Sequence, residues 1–138
     1  TFRIKTSTDG STFDTALSID PQTRITKAQA FSSLDLVLGP DTAQQVATPS
    51  AGGFVLITMT DAAYPQTTHS GIFIYDTGAS LLLYPVFLGS GMKTLGTQVL
   101  SGTTGVADTS SIAVAAGALQ IENRRGASST YSITFIGG

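Results

Sequence analysis

Leu119-Gln120-Ile121-Glu122-Asn123-Arg124-Arg125-Gly126-Ala127, with Tyr131-Ser132-Ile133-Thr134-Phe135 close behind it, carries the plainest β signal in the chain. Leu119 and Ile121 alternate with polar neighbours, and so do Tyr131, Ile133 and Phe135. A period of two residues puts each apolar set on one side of an extended strand. Asn123-Arg124-Arg125-Gly126 has the residue types that turn a chain, so the stretch predicts a closing β-hairpin with one apolar face. Glu122 and Arg124 then share a face, where they can pair with each other or with another subunit. As an exposed pair within one subunit they are worth under about 1 kcal/mol.

Upstream of this hairpin the chain is a series of short apolar runs bounded by Gly, Pro, Ser, Thr and Asp. The runs predict strands at residues 34–38, 53–60, 71–76, 81–88, 97–100, 110–115, 119–123 and 130–136. Residues 41–47, between Pro40 and Pro49, are the one helix candidate, with room for two turns at most. Short strands with Gly-rich turns point to a jelly-roll-like β-sandwich over residues 31–138. Doubly wound α/β folds are excluded, since no helical period of ten or more residues separates the strands.

Residues 1–30 read as a separate β-ribbon. Phe2 and Ile4 alternate with Arg3 and Lys5, Asp9-Gly10 supplies a turn, and Phe13, Thr15, Leu17 and Ile19 alternate again. Asp20-Pro21 marks a second turn, and Arg24-Ile25-Thr26 a short third strand. So thin an apolar face does not hold a ribbon together alone, so it needs other surface to lie on. The first residue is Thr rather than Met, and the chain reads as part of a longer one.

Composition narrows the function classes. Of 138 residues, 41% are hydrophobic and only 12% charged, with a mean hydropathy of +0.23. That is too apolar for disorder and poor in charge for a soluble monomer, which favours an oligomer whose interfaces bury uncharged surface. A net charge of −2 argues against nucleic acid, which needs a clustered basic face. Cys is absent, so disulfides and thiol catalysis are excluded and most structural zinc sites with them. No apolar run reaches the length of a membrane helix, so membrane insertion by a helix is not expected.

Two stretches resemble the C-terminal ends of tail-fibre and spike proteins of phages and gene-transfer agents, particularly the alphaproteobacterial type. The first is Phe2-Arg3-Ile4-Lys5-Thr6-Ser7-Thr8-Asp9-Gly10-Ser11-Thr12-Phe13, continuing through Ala16-Leu17-Ser18-Ile19-Asp20-Pro21. The second is the closing Ile121-Glu122-Asn123-Arg124-Arg125-Gly126 with the strand that follows. The resemblance lies at the two ends of the chain. It implies a virion structural protein, usually trimeric, in a tail or head fibre. The partners implied are copies of itself, other virion proteins through an N-terminal part, and a bacterial surface glycan or protein at the tip. A capsid or head decoration protein without receptor affinity is the nearer alternative.

Enzymatic readings are weaker. Ile72-Phe73-Ile74-Tyr75-Asp76-Thr77-Gly78-Ala79 resembles the active-site turn of aspartic proteases, in which two aspartates share one proton; a retroviral-type homodimer would supply one Asp76 from each chain. That family also needs an apolar-apolar-Gly strand leading into a helix, and Phe87-Leu88-Gly89 and Phe135-Ile136-Gly137 are both badly placed for it. Asp-Thr-Gly-Ala is equally an ordinary β-turn. A Ser-His-Asp hydrolase would have to use His69, the sole histidine, in the polar segment 64–70 that reads as loop surface. A glycosidase needs two carboxylates, and Glu122 is the only Glu. Loop calcium through Asp61, Asp76 or Asp108 is the one metal chemistry with suitable ligands; the expectation is no cofactor and no metal. Sugar recognition needs aromatic platforms and fixed polar groups, which Tyr64, Gln66, His69, Tyr75 and Tyr84 offer; packing within strands or interfaces is the competing role for the tyrosines.

Overall fold

The computed structural model describes residues 2–6, 14–19, 26–28, 31–48, 52–60, 67–76 and 82–137, with side chains described at 34–48, 52–60, 67–76 and 83–137. The chain divides into two compact units, Thr1–Ala30 and Phe31–Gly138. In the first, β1 (Phe2–Thr6), β2 (Asp14–Ile19) and β3 (Thr26–Ala28) pair antiparallel in that order. Phe2 stands opposite Ile19 and Ile4 opposite Leu17. The turns expected at Asp9-Gly10 and Asp20-Pro21 lie outside the described residues.

The second unit is a β-sandwich, and the described residues contain no helix. One sheet has five strands in the order β4 (Phe31–Leu38), β12 (Ser129–Gly137), β6 (Gly53–Met59), β7 (Gly71–Asp76) and β8 (Leu82–Leu88). The other has four, in the order β5 (Thr42–Val46), β11 (Ala118–Asn123), β10 (Ser110–Ala115) and β9 (Met92–Thr94). Pairing is antiparallel except between β9 and β10.

Alternation builds the core. Val55, Ile57 and Met59 of β6, Phe73 and Tyr75 of β7, and Tyr131, Ile133 and Phe135 of β12 point inward from one sheet. Val46, Met92, Ile112, Val114, Leu119 and Ile121 meet them from the other. Tyr75 and Phe135 touch edge to face, with centroids 5.5 Å apart, the geometry that ring quadrupoles favour.

Three sequence expectations change. Residues 41–47 form no helix: Pro40 opens a tight turn with Asp41 at φ 51°, and Thr42–Val46 pairs with β11 as an edge strand. Two helical turns cannot sustain themselves, whereas a strand here completes the ladder of β11. Residues 97–100 are not a strand; the pairing goes instead to Met92–Thr94, which runs parallel to the start of β10. The closing hairpin is also absent, because β11 and β12 lie in different sheets and residues 124–128 carry the chain across the sandwich. Two strands with matching apolar faces satisfy one another across a core as well as side by side, and alternation alone does not distinguish the two.

Candidate functional site

β10 is buried at every position, although its alternation predicts one outer face. The cover is the loop between β9 and β10, residues 95–109, which is tied down onto the outer side of the four-stranded sheet. Gln120 and Glu122 project from β11 on that side. Leu100 N–H donates to Gln120 Oε1 at 2.7 Å. Glu122 Oε1 accepts from the backbone of Gly102 and Thr104 at 2.8 and 2.9 Å, and Oε2 from Gly105 at 2.7 Å. Three amides on one carboxylate are charge-assisted bonds, roughly twice as strong as neutral ones.

Arg124 completes the clamp from the other side of the loop. Its guanidinium donates to the carbonyls of Gly105 and Gly102 at 3.0 and 3.1 Å and forms an ion pair with Asp41. The loop leaves no room for error at Gly102, whose φ is +98° and where a Cβ would lie 2.2 Å from Asp41 O. Within the loop, Ser101 and Thr104 bond to each other through their hydroxyls, and Thr103, Val99 and Val106 stand exposed. The result is a pre-organised loop surface of hydroxyl and valine side chains above the four-stranded sheet.

The pair read from sequence is therefore not an inter-subunit pair. Glu122 is 0% exposed and satisfied within its own chain, so no neighbouring subunit reaches it; Arg124 has Asp41 of the same chain as its ionic partner. Asn123 and Arg125 are structural too. Asn123 Nδ2 donates to the carbonyls of Leu38, Gly39 and Ala127, and Arg125 donates to Ser129 Oγ and Met59 Sδ in the interior. The sequence shows the residue types of this clamp, a lone Glu in a strand and a Gly- and Thr-rich stretch, but not that the two meet.

Among the described members of the ligand-binding set, His69 and Tyr75 are buried and Tyr84 is exposed. Tyr64 and Gln66 lie outside the described residues. His69 is not loop surface but 3% exposed, with Nδ1 3.1 Å from Ser110 Oγ, which in turn lies 2.6 Å from Tyr131 OH. This chain of polar groups joins the two sheets, since β10 and β12 belong to different ones. A serine beside a histidine suggests a nucleophile, but Ser110 is fully buried and shares its hydroxyl with Tyr131, so no substrate carbonyl reaches it. The imidazole fits there because residue 91 is Gly, whose Cβ would meet the ring at 2.6 Å.

Tyr75 points into the core, its hydroxyl buried with no hydrogen-bond partner; loss of solvation pushes its phenol above 10.0. Only Tyr84 stands on the surface, on the outer face of the five-stranded sheet opposite Ile74. Asp76 is exposed at the end of β7, and the Thr77-Gly78-Ala79 turn after it lies outside the described residues. Among the described residues no three His, Asp or Glu side chains gather as metal ligands would.

Comparison with known proteins adds no relative: no family model matches the sequence, and neither a curated protein nor a solved structure does.

Proposed function

We propose that this chain is a non-enzymatic virion component, the distal part of a phage-type tail or head fibre, that self-assembles and binds a host-surface glycan or protein. The observation that carries the reading is the clamped loop. A carboxylate, an amide and a guanidinium are spent on holding the backbone of residues 100–105 in one shape, with the Ser101 and Thr103 side chains left at the surface. Pre-organisation of this kind lowers the entropic cost of recognition, because the loop need not be ordered when a partner binds. Rigid scaffolds that display shaped loops are the usual platform for adhesive surfaces. The similarity of the chain's two ends to fibre and spike proteins points the same way.

Recognition in this reading belongs to Ser101, Thr103 and their neighbours; His69 and Tyr75 are internal and take no part in it. The test is binding of the labelled 138-residue chain to a panel of bacterial cells and surface polysaccharides, beside Thr103→Arg. Saturable binding that Thr103→Arg weakens at least tenfold supports the adhesive role. Absence of binding to every cell and glycan, with the chain located on the capsid by immunogold microscopy, would replace it with the decoration-protein reading.

A further inference from the structure

The outer face of the five-stranded sheet carries two apolar ladders. Ile136, Phe54, Ile74 and Tyr84 are successive cross-strand partners on β12, β6, β7 and β8, and Thr134, Leu56, Ile72 and Phe87 form the next row. An antiparallel sheet with one solvated face normally turns polar residues outward on that side. Here those positions are aromatic or aliphatic over three adjacent strands. A shallow groove of about 220 Å³ runs along the second row, between Leu56, Ile72 and Phe87 and the turn at Thr67.

From this face and the rim strand β8 we propose that this sheet packs against a second copy of the chain, which deepens the self-assembly reading above and rests on it. Phe54, Ile74, Tyr84, Val86 and Phe87 are each between 42% and 59% exposed. At about 150–250 Å² for a large side chain, this is roughly 500 Å² of apolar surface. A stable interface buries about 800 Å² on each partner, which the half-buried Leu56, Ile72 and Ile136 of the same rows bring within reach. A patch of about 500 Å² is at the upper end of what monomers expose, where such patches are often interaction sites.

A copy of the same chain suits the face because neither ladder contains a charged residue, so two such faces meet without a like-charge penalty. Asp76 and Asp35 stand at its ends and not within the rows. Edge-to-edge pairing is disfavoured, since β8 is interrupted by Pro85 and by a register shift opposite Ile72 and Phe73, both of which discourage strand addition. Packing face to face is the arrangement left to it.

The experiment is light scattering on the eluted 138-residue chain over a range of concentrations, with Ile74→Glu, Tyr84→Lys and, as a control of equal charge on the opposite side of the sandwich, Thr97→Glu. Far-UV circular dichroism is recorded for each. The expected result is a wild-type mass of at least twice 14.2 kDa, the same for Thr97→Glu, and a monomer with unchanged spectrum for Ile74→Glu and Tyr84→Lys. If Ile74→Glu fails to fold, Tyr84→Lys decides, because that side chain is the more exposed. A wild-type oligomer that survives both substitutions would overturn the face while leaving self-assembly standing. A wild-type monomer at every concentration would overturn both.

Discussion

Ala116 shows how little of a turn is free to vary. β10 and β11 are joined by Ala116-Gly117, with Ala115 opposite Ala118. Both turn residues have positive φ, 53° and 74°, as a two-residue hairpin of the primed type demands. Glycine takes this conformation freely, whereas a left-handed alanine costs about 1 kcal/mol. Ala116→Asn is therefore expected to raise stability by about 0.5–1 kcal/mol in urea denaturation. Tyr75 is the second informative residue. Its phenol is held above 10.0 by burial, so the folded chain keeps that proton more tightly than the unfolded one. The linked stability is fully present below pH 10.0 and lost as pH rises through the raised folded value. Tyr75→Phe removes this alkaline loss. It also removes an unpaired buried hydroxyl, so at neutral pH the variant is expected to equal or exceed the parent by up to about 1 kcal/mol. Melting curves at neutral and alkaline pH check both parts.

Among the elements, β11 has two unlike faces. Leu119 and Ile121 enter the core, while Gln120 and Glu122 replace what would be solvent contacts with bonds to the loop above. Glu122→Gln turns one acceptor oxygen into a donor facing backbone N–H groups. The expected loss is about 2–3 kcal/mol, with amide exchange at Gly102, Thr104 and Gly105 rising more than in β6. If exchange rises equally everywhere, the clamp is not a local device. The strand at 71–76 stands where alternation places it, because its side chains are sorted by a real inside and outside. β5 was not legible. Its burial pattern has a single buried residue, Val46, and its extended shape comes from hydrogen bonding to β11 rather than from its own side chains.

For the whole molecule, assembly through an uncharged face should respond to salt in a characteristic way. Sodium chloride, which screens charges, is expected to leave the oligomer intact, and ammonium sulfate to strengthen it by favouring burial of apolar surface. The mass by light scattering at low concentration measures this, and dissociation by moderate sodium chloride would point to an ionic contact instead. The low charge content of the chain already suggested that other subunits cover part of it. Which surface is bare could be seen only once β6, β7 and β8 were placed side by side.

The sequence alone determined that this chain is built from strands and which residues are apolar partners in each, because a period of two needs only neighbours along the chain. It also separated the runs of the second unit into nearly the right strands, since Gly, Pro and Asp break extended structure locally. Tertiary structure decided the rest. Whether β11 and β12 lie side by side or across a core, and whether His69 and Glu122 face water or protein, depends on residues tens of positions away. Glu122 is fully buried because the amides of Gly102, Thr104 and Gly105 converge on it, and alternation along β11 does not encode that convergence.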